Sequence, residues 1–409
     1  MSGSPLSAYL DVQARTTKAI ETGPKVIVND AQAFNNYMYS VFAKGKGDKE
    51  LMAGGLSLSD EIAMIDPLSA QTHLPGHSFT WPNPQTARYW EIKLRYLTGS
   101  MSFVDQEIET QAPATMTAKA RFLKIKDMHY GKRQAAMTSL WNKMEALLFA
   151  TPDYDTMEVS TTTASTEPYS LAAIVNEQTN GLFNPTGTPA AMGTVWTQVQ
   201  GIAPATTGNA NWVPGQRSYT SSSTTAAGGV TDALENLMMD IEFSPPPTMQ
   251  EYFTLPENNR LIIIAGRKGV NHYKSCVRDR QDILPASGHM DAGIPSPSFD
   301  NVPIKYIAGM NTAAWYPNHT TAASATLNVT EGATGANGNT GPRYLALHTG
   351  FMGPVFHVNR YFVEKWELKP TDQYEMTTIP ISVWFNWRAK SRKRHGIVYP
   401  SGNVFTTAY

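Results

Sequence analysis

The chain has 409 residues, enough to bury a large core in one elaborated domain or in two to three units. Its 33 Lys and Arg balance 34 Asp and Glu, which excludes a surface built throughout to hold a polyanion, so any basic site is local. Only 16% of residues are charged, against roughly 25% in ordinary soluble domains, and the lone Cys276 excludes an intramolecular disulfide framework and a cysteine-based zinc site.

Ser, Thr, Asn and Gln stand where charge is missing. A solitary monomer usually keeps more charge for solubility, so the deficit points to surface buried between subunits; a neutral extracellular surface is the alternative. The N-terminal "MSGSPLSAYLDVQARTTKAI" has no basic start followed by an apolar run, and no window reaches 18 uninterrupted apolar residues. Neither a cleaved secretion signal nor a membrane span is expected, and the sequons at Asn318 and Asn328 then carry no weight.

Residues 1–75 mix short apolar groups with "GKGDKE" and "LMAGGLSLSD", the pattern of an extended or partly helical arm whose partners lie elsewhere. In "RYWEIKLRYL" Trp90, Ile92, Leu94 and Tyr96 alternate with Glu91, Lys93 and Arg95, the period of a half-buried strand. Thr98-Gly99-Ser100 predicts a turn, "MSFVDQEIET" a returning strand and "TMTAKARFLKIKD" a third, so the region reads as a β-hairpin with a strand leading out. A hairpin of this length needs a surface to lie against. In "KRQAAMTSLWNKMEALLFA" Met137, Leu140, Trp141, Met144 and Leu148 recur at helical spacing, until Thr151-Pro152 ends the helix.

From Gln178 to Thr231 the only charge is Arg217, yet Leu182, Phe183, Val195, Trp196, Val199 and Trp212 are too apolar for disorder, so packed loops are expected. Asp232 and Glu235 form a capping-box pattern ahead of Leu234, Leu237, Met238 and Ile241, and "SPPPT" closes that helix. "RLIIIAGRKGVNHYKSCVRDR" reads as buried strand, glycine turn and helix, and "FDNVPIKYIAGMN" as another strand. A second low-charge stretch, Ala313 to Pro342 with only Glu331, reads as an insertion. Strand candidates "RYLALHTG", "PVFHVNRYFVEKWELKP" and "MTTIPISVWFNWR" close the chain, the last with Ile379, Ile381, Val383, Phe385 and Trp387 on one face.

Enzyme signatures are missing. "AGRKGVNHYKS" has Tyr273 where a phosphate loop needs glycine before its Lys, and neither G-x-S-x-G nor H-E-x-x-H occurs. Only His73 and His77 have i, i+4 spacing, and Pro75 spoils a shared helical face. No catalytic, cofactor or metal residues are therefore assigned. Two charged groups stand out. Asp105, Glu107 and Glu109 fall on alternate positions of an expected strand, where carboxylates can do acid/base work, hold a cation or dock basic groups of a neighbouring chain. Five cations, Arg388, Lys390, Arg392, Lys393 and Arg394, crowd the eight residues ending at His395. They read as a localisation-like cluster, as a nucleic-acid site interleaved with Trp384, Trp387, His395 and Tyr399, or as an intersubunit contact, which the bidentate geometry of arginine favours.

This order of elements resembles the major capsid proteins of tailed bacteriophages, a fold shared with encapsulins and the floor domain of herpesvirus capsids. "FDNVPIKYIAGM" resembles the family's Pro-containing strand phrase, and "ISVWFNWRAKSRKRHGIVYP" its terminal strand, polar bend and short final strand. The resemblance implies an α+β fold: an N-terminal arm (1–77), an extended β-hairpin loop (78–126), a peripheral domain with the long spine helix (127–177), a mixed α/β axial domain (178–345) and closing strands (346–409). It implies self-assembly into pentamers and hexamers of an icosahedral shell around double-stranded DNA, in a virion put together in the host cytoplasm. Implied partners are scaffolding protein, portal, cement protein and, through weak non-specific contacts, the packaged DNA, with no membrane and no cofactor. On this reading Trp90, Ile92, Leu94, Tyr96, the three carboxylates and the five cations make intersubunit contacts. Met137, Leu140, Trp141, Met144 and Leu148 form the spine-helix core. The alternatives are a secreted carbohydrate-active enzyme using the carboxylates near 105–109, and a nucleic-acid-binding protein acting through 388–395.

Overall fold

The computed structural model describes residue 41 and residues 49–63, 87–150, 157–158, 167–175, 196–204, 212–219, 229–241, 261–278, 297–300, 302–311, 342–364, 369–370 and 376–400. The arm before residue 49 (Val41 apart), His73 and His77, both sequons and most of the two low-charge stretches lie outside the described residues.

The elements run β1 (Glu50–Met52), β2 (Ser57–Ala63), β3 (Ala87–Lys93), β4 (Arg95–Val104), α1 (Asp105–Gln111), α2 (Ala118–Leu148), α3 (Leu171–Ile174), β5 (Gly215–Tyr219) and α4 (Val230–Ile241). Then follow β6 (Leu261–Ala265), α5 (Arg267–Arg278), β7 (Ser298–Phe299), β8 (Val302–Tyr306), β9 (Tyr344–His348), β10 (Met352–His357), β11 (Val363–Glu364), β12 (Lys369–Pro370), β13 (Met376–Ala389) and β14 (Gly396–Pro400). Among the described residues this is an α+β architecture of two six-stranded sheets and a separate two-stranded ribbon. The first sheet runs β1-β10-β13-β11, with β4 and β12 also on β13; the second runs β5-β14-β9-β6-β8-β7. The ribbon is β2 against β3, from Ser57 opposite Lys93 to Ala63 opposite Ala87.

The 14-residue β13 organises the first sheet, pairing with β4 from Met376 opposite Val104 to Phe385 opposite Arg95. Its inward residues Ile379, Ile381, Val383, Phe385 and Trp387 are all buried, and α2 packs Leu140, Trp141, Met144 and Leu148 beneath the sheets. Each such side chain contributes about 1.5–3 kcal/mol through burial. Met137 is half-buried at the edge of this core. In the second sheet β6 is apolar throughout and β9 apolar up to its last residue, His348, because both faces are covered, with Leu234, Leu237 and Ile241 of α4 packed with Ile263 and Ala346.

Several sequence expectations are corrected here. Thr98-Gly99-Ser100 is not a turn but lies inside β4, and β3 and β4 form nearly one run whose halves pair with β2 and β13. Gly99 is there because a Cβ would meet Leu140 Cδ2 at 2.9 Å, so glycine lets α2 approach the sheet. The hairpin is instead β2–β3, earlier in the chain. The strand expected in "TMTAKARFLKIKD" is the start of α2, which is 31 residues long. Thr117 caps it, its side chain accepting from Ala120 N at 3.4 Å, and Ala, Lys, Arg and Leu are strong helix formers. The strand expected through Glu109 ends at Val104, where acid-rich 105–111 turns helical, with Glu107 in its first turn.

Candidate functional site

The ribbon is rooted rather than hinged. Trp90 and Ile92 are each only 1% exposed and pack into the main core, and Leu94 packs with Met52 and Val355. The free edge of β3 is tied to the body: Glu91 N donates to Gln200 O at 3.1 Å, and Asn386 Nδ2 donates to Lys93 O at 2.6 Å. The expectation that Trp90, Ile92 and Leu94 contact a neighbouring subunit is therefore corrected, since they fill their own chain's core. Tyr96 does not share their face. Leu94 and Arg95 are both buried, so inward parity changes between them, and Tyr96 emerges 57% exposed, edge-on to Trp384 at 4.6 Å.

Below Tyr96 the outer face of the first sheet carries Thr98, Ser100, Ser102 and Val104 of β4, all exposed, beside half-buried Trp384, Ser382, Pro380 and Thr378 of β13. Arg360 lies over the Trp384 ring at 5.2 Å. This is an almost uncharged face some ten residues long, and its exposed hydroxyl residues are Thr98, Ser100 and Ser102.

Glu107 and Glu109 stand on a helix, not on one face of a strand, and they bond within the chain. Glu107 pairs with Lys132, which also donates to Ser102 O at 2.8 Å, and Glu109 accepts from Arg121 Nη2 at 2.7 Å. Asp105 opens the same helix. The expected docking of these acids on basic groups is thus met by α2 of their own chain. The arrangement is a helical hairpin, α1 against α2, and not two carboxylates facing across a cleft. Among the described residues no group of three His, Cys, Asp or Glu could hold a metal ion.

The basic run is a 3-10 bend, Arg392–Arg394, linking the last strand of one sheet to β14 of the other. Arg388 is 2% exposed and pairs with Glu50 of β1. Arg392 is completely buried, donating from Nε to Ile174 O at 2.7 Å, from Nη1 to Trp212 O at 3.0 Å and from Nη2 to Ala173 O at 3.5 Å. These two cannot be the intersubunit or nucleic-acid contacts expected of them; each satisfies groups inside the subunit. Lys393 is exposed, while Lys390 and Arg394 are half-buried. His395, also completely buried, accepts from His348 N on Nδ1 at 3.2 Å, and burial, reinforced by His348, pulls it down to about 3.

Beside Arg392 lies a group of residues that sequence reasoning missed. Val199 and Ile202 close a tight turn by two backbone hydrogen bonds, with Gln200 and Gly201 at φ 55° and 78°. The N–H groups of both central residues point at Glu158, donating to Oε2 at 3.2 Å and Oε1 at 2.8 Å. The Gln200 amide, oriented so that both its ends are satisfied, exchanges two 3.0 Å hydrogen bonds with the backbone of Ala389. Arg95 donates to Met157 O at 2.8 Å and Glu167 O at 3.1 Å. Burial pushes the Glu158 carboxyl up, opposed by the two turn N–H groups, Arg95 and Arg392. Burial likewise pulls Arg392 down to about 9, so it remains cationic at neutral pH. The Gln-Gly pair in "TQVQGIAP" was the available turn signal, while Glu158 had none because its partners are distant in sequence.

No protein-family model and no curated protein matches the sequence. Solved structures do match. The capsid asymmetric unit of cyanophage A-1(L) is 10% identical and aligns over 93% of this chain and 97% of its own, with a TM-score of 0.53. The capsid of a native GTA particle is 9% identical over 93% and 96%, with a TM-score of 0.50. The chain has the phage-capsid fold. At such identity the likeness is one of fold, and it extends over nearly the whole of both chains, so the capsid fold accounts for both six-stranded sheets together.

Proposed function

We propose that this chain is a major capsid protein, the subunit of an icosahedral head shell that encloses the double-stranded DNA of a tailed bacteriophage. The carrying observation is the capsid fold across 93% of the chain. A low charged fraction, 16%, and a long, almost uncharged face suit a subunit that covers much of its surface with copies of itself. The projecting extended loop is the β2–β3 ribbon, the peripheral domain is the first sheet with α2, and the axial domain is the second sheet with α4 and α5. Pentamers and hexamers, a scaffolding protein and a portal complete the proposed assembly, and DNA meets the shell only through weak, non-specific contacts. The subunit acts by shape, not by catalysis.

The test exploits the ribbon's register. Ala63 and Ala87 are the last opposed pair, so residues 64–86 can be replaced by Asn-Gly, which closes a two-residue hairpin turn and keeps Trp90 and Ile92 in the core. Negative-stain microscopy of the full chain is expected to show uniform shells, and of the shortened chain soluble subunits without shells. Normal shells from the shortened chain, which keeps the paired strands, would remove residues 64–86 from assembly. Isolated monomers from the full chain, co-expressed with its scaffolding partner, would overturn the capsid reading.

A further inference from the structure

We propose that the Gln200–Gly201 turn, gripped by the Glu158 carboxylate, is the seat that fixes the direction in which the β2–β3 ribbon leaves the body, with Glu158 and Gln200 as positioning residues. The inference deepens the reading of the ribbon as the projecting loop and rests on it for its functional meaning.

Five hydrogen bonds meet at the turn, and they reach three different parts of the chain. Gln200 O accepts from Glu91 N, on the edge of β3 that faces away from β2. The Gln200 side chain holds Ala389, the last residue of β13, through its N–H and its C=O. Glu158 takes both turn N–H groups with one carboxylate, a bidentate clamp on two positive-φ residues of which Gln200 is the disfavoured one. The turn is thus a rigid block set between the ribbon's return strand and the end of the central strand. Trp212 closes it from the side, donating from Nε1 to Val199 O at 3.0 Å. Two residues further along the same edge of β3, Asn386 Nδ2 donates to Lys93 O. Removing the block leaves the ribbon held at Lys93 and by Trp90 and Ile92, points about which it can rotate.

Positive φ matters here because a non-glycine residue occupies it. Gln at φ 55° is disfavoured over Gly or Asn, so its presence calls for a compensating gain, which the two bonds to Ala389 supply.

The experiment is hydrogen exchange on the full chain carrying Glu158→Gln or Gln200→Gly. The Gln variant offers one amide oxygen to two N–H donors and so breaks the clamp, while Gln200→Gly keeps the turn and the clamp but deletes the grip on Ala389. Peptides spanning 57–63 and 88–94 are expected to exchange about ten-fold faster in Glu158→Gln and about five-fold faster in Gln200→Gly, with β6 and β9 unchanged. Unchanged ribbon exchange in both variants overturns the proposal. If Glu158→Gln loosens both sheets alike, Gln200→Gly decides: selective loosening of the ribbon supports the seat, and uniform or absent loosening overturns it. Microscopy of the same variants separates the two claims, because normal shells built from subunits with loosened ribbons would keep the seat and remove the ribbon from assembly.

Discussion

Replacing Arg392 by Met tests whether the basic run is an internal brace. The guanidinium spans the carbonyls of Ile174, Trp212 and Ala173, and its charge faces Glu158. Methionine fills the space but leaves three buried carbonyls without that donor, at about 1–3 kcal/mol for each well-formed bond. It also leaves Glu158 with Arg95 as its nearby cation. Losing the burial penalty of the guanidinium offsets part of this, so the net destabilisation is about 3–5 kcal/mol, the range for breaking a buried ionic network from one side. That is a large fraction of a stability of about 5–15 kcal/mol. The assay is urea unfolding of unassembled subunits followed by tryptophan fluorescence, because Trp212 stacks near the substituted position, 6.0 Å from the guanidinium. Exposed Lys393→Met is the control, expected within about 0.5 kcal/mol of the parent. Arg392→Lys keeps the charge but cannot span carbonyls of two segments, and falls between. Equal stability of Arg392→Met and Lys393→Met, with equal loss of DNA binding, would refute the brace and restore the nucleic-acid reading.

His395 sets an acid limit. Its folded pKa of about 3 lies below the free value of 6.5, so between those values the unfolded chain binds the extra proton and stability falls as pH falls. The full effect is about 5 kcal/mol at the low end; Glu158, shifted upward, acts with the opposite sign, losing stability as pH rises above the ordinary carboxylate range. His395→Asn, whose Oδ1 can accept from His348 N as Nδ1 does, is expected to flatten the acid limb of urea midpoints between pH 6.5 and 3 relative to the parent. Gly99→Ala is expected to destabilise by about 1–3 kcal/mol through the clash with Leu140, and to be neutral when Leu140 is already Ala, a coupling that a turn glycine would not show.

Much of the fold is legible in the sequence because its strands and helices carry unambiguous periods. "SVWFNWR" alternates, "LIIIA" is continuously apolar, and the Met137-to-Leu148 stretch repeats at helical spacing. What could not be read is pairing. Alternation at Trp90, Ile92 and Leu94 says that a strand is half-buried but not against what, and the answer lies partly at Gln200 and Asn386, more than a hundred residues away. The one-residue change of parity at Leu94–Arg95 is invisible locally, because Arg95 looks like an outward polar position. The start of α2 was masked for a different reason: Ile125 alternates with Lys124 and Lys126, so a short window reads as a strand while helix propensity and the Thr117 cap decide otherwise.

The crowding of cations between Arg388 and Arg394 follows from where the chain changes sheets. β13 ends at Ala389 and β14 begins at Gly396, so residues 390–395 belong to neither ladder and pass the end of α3 and Trp212, whose carbonyls Arg392 satisfies. Arginine is suited to such a crossing, since one planar group with five donors serves acceptors from several segments at once, which neither water-sized gaps nor an aliphatic side chain would do. The burial of Arg388 and Arg392 then goes with passing from one sheet to the other through a short bend, and Lys393 is the exposed residue of that bend. A basic cluster flanked by apolar strand residues therefore signals a sheet-to-sheet crossing as readily as a polyanion site. The alternation on its N-terminal side, through Phe385 and Trp387, distinguishes the two, because a strand that is buried up to the cluster carries its cations into the interior with it.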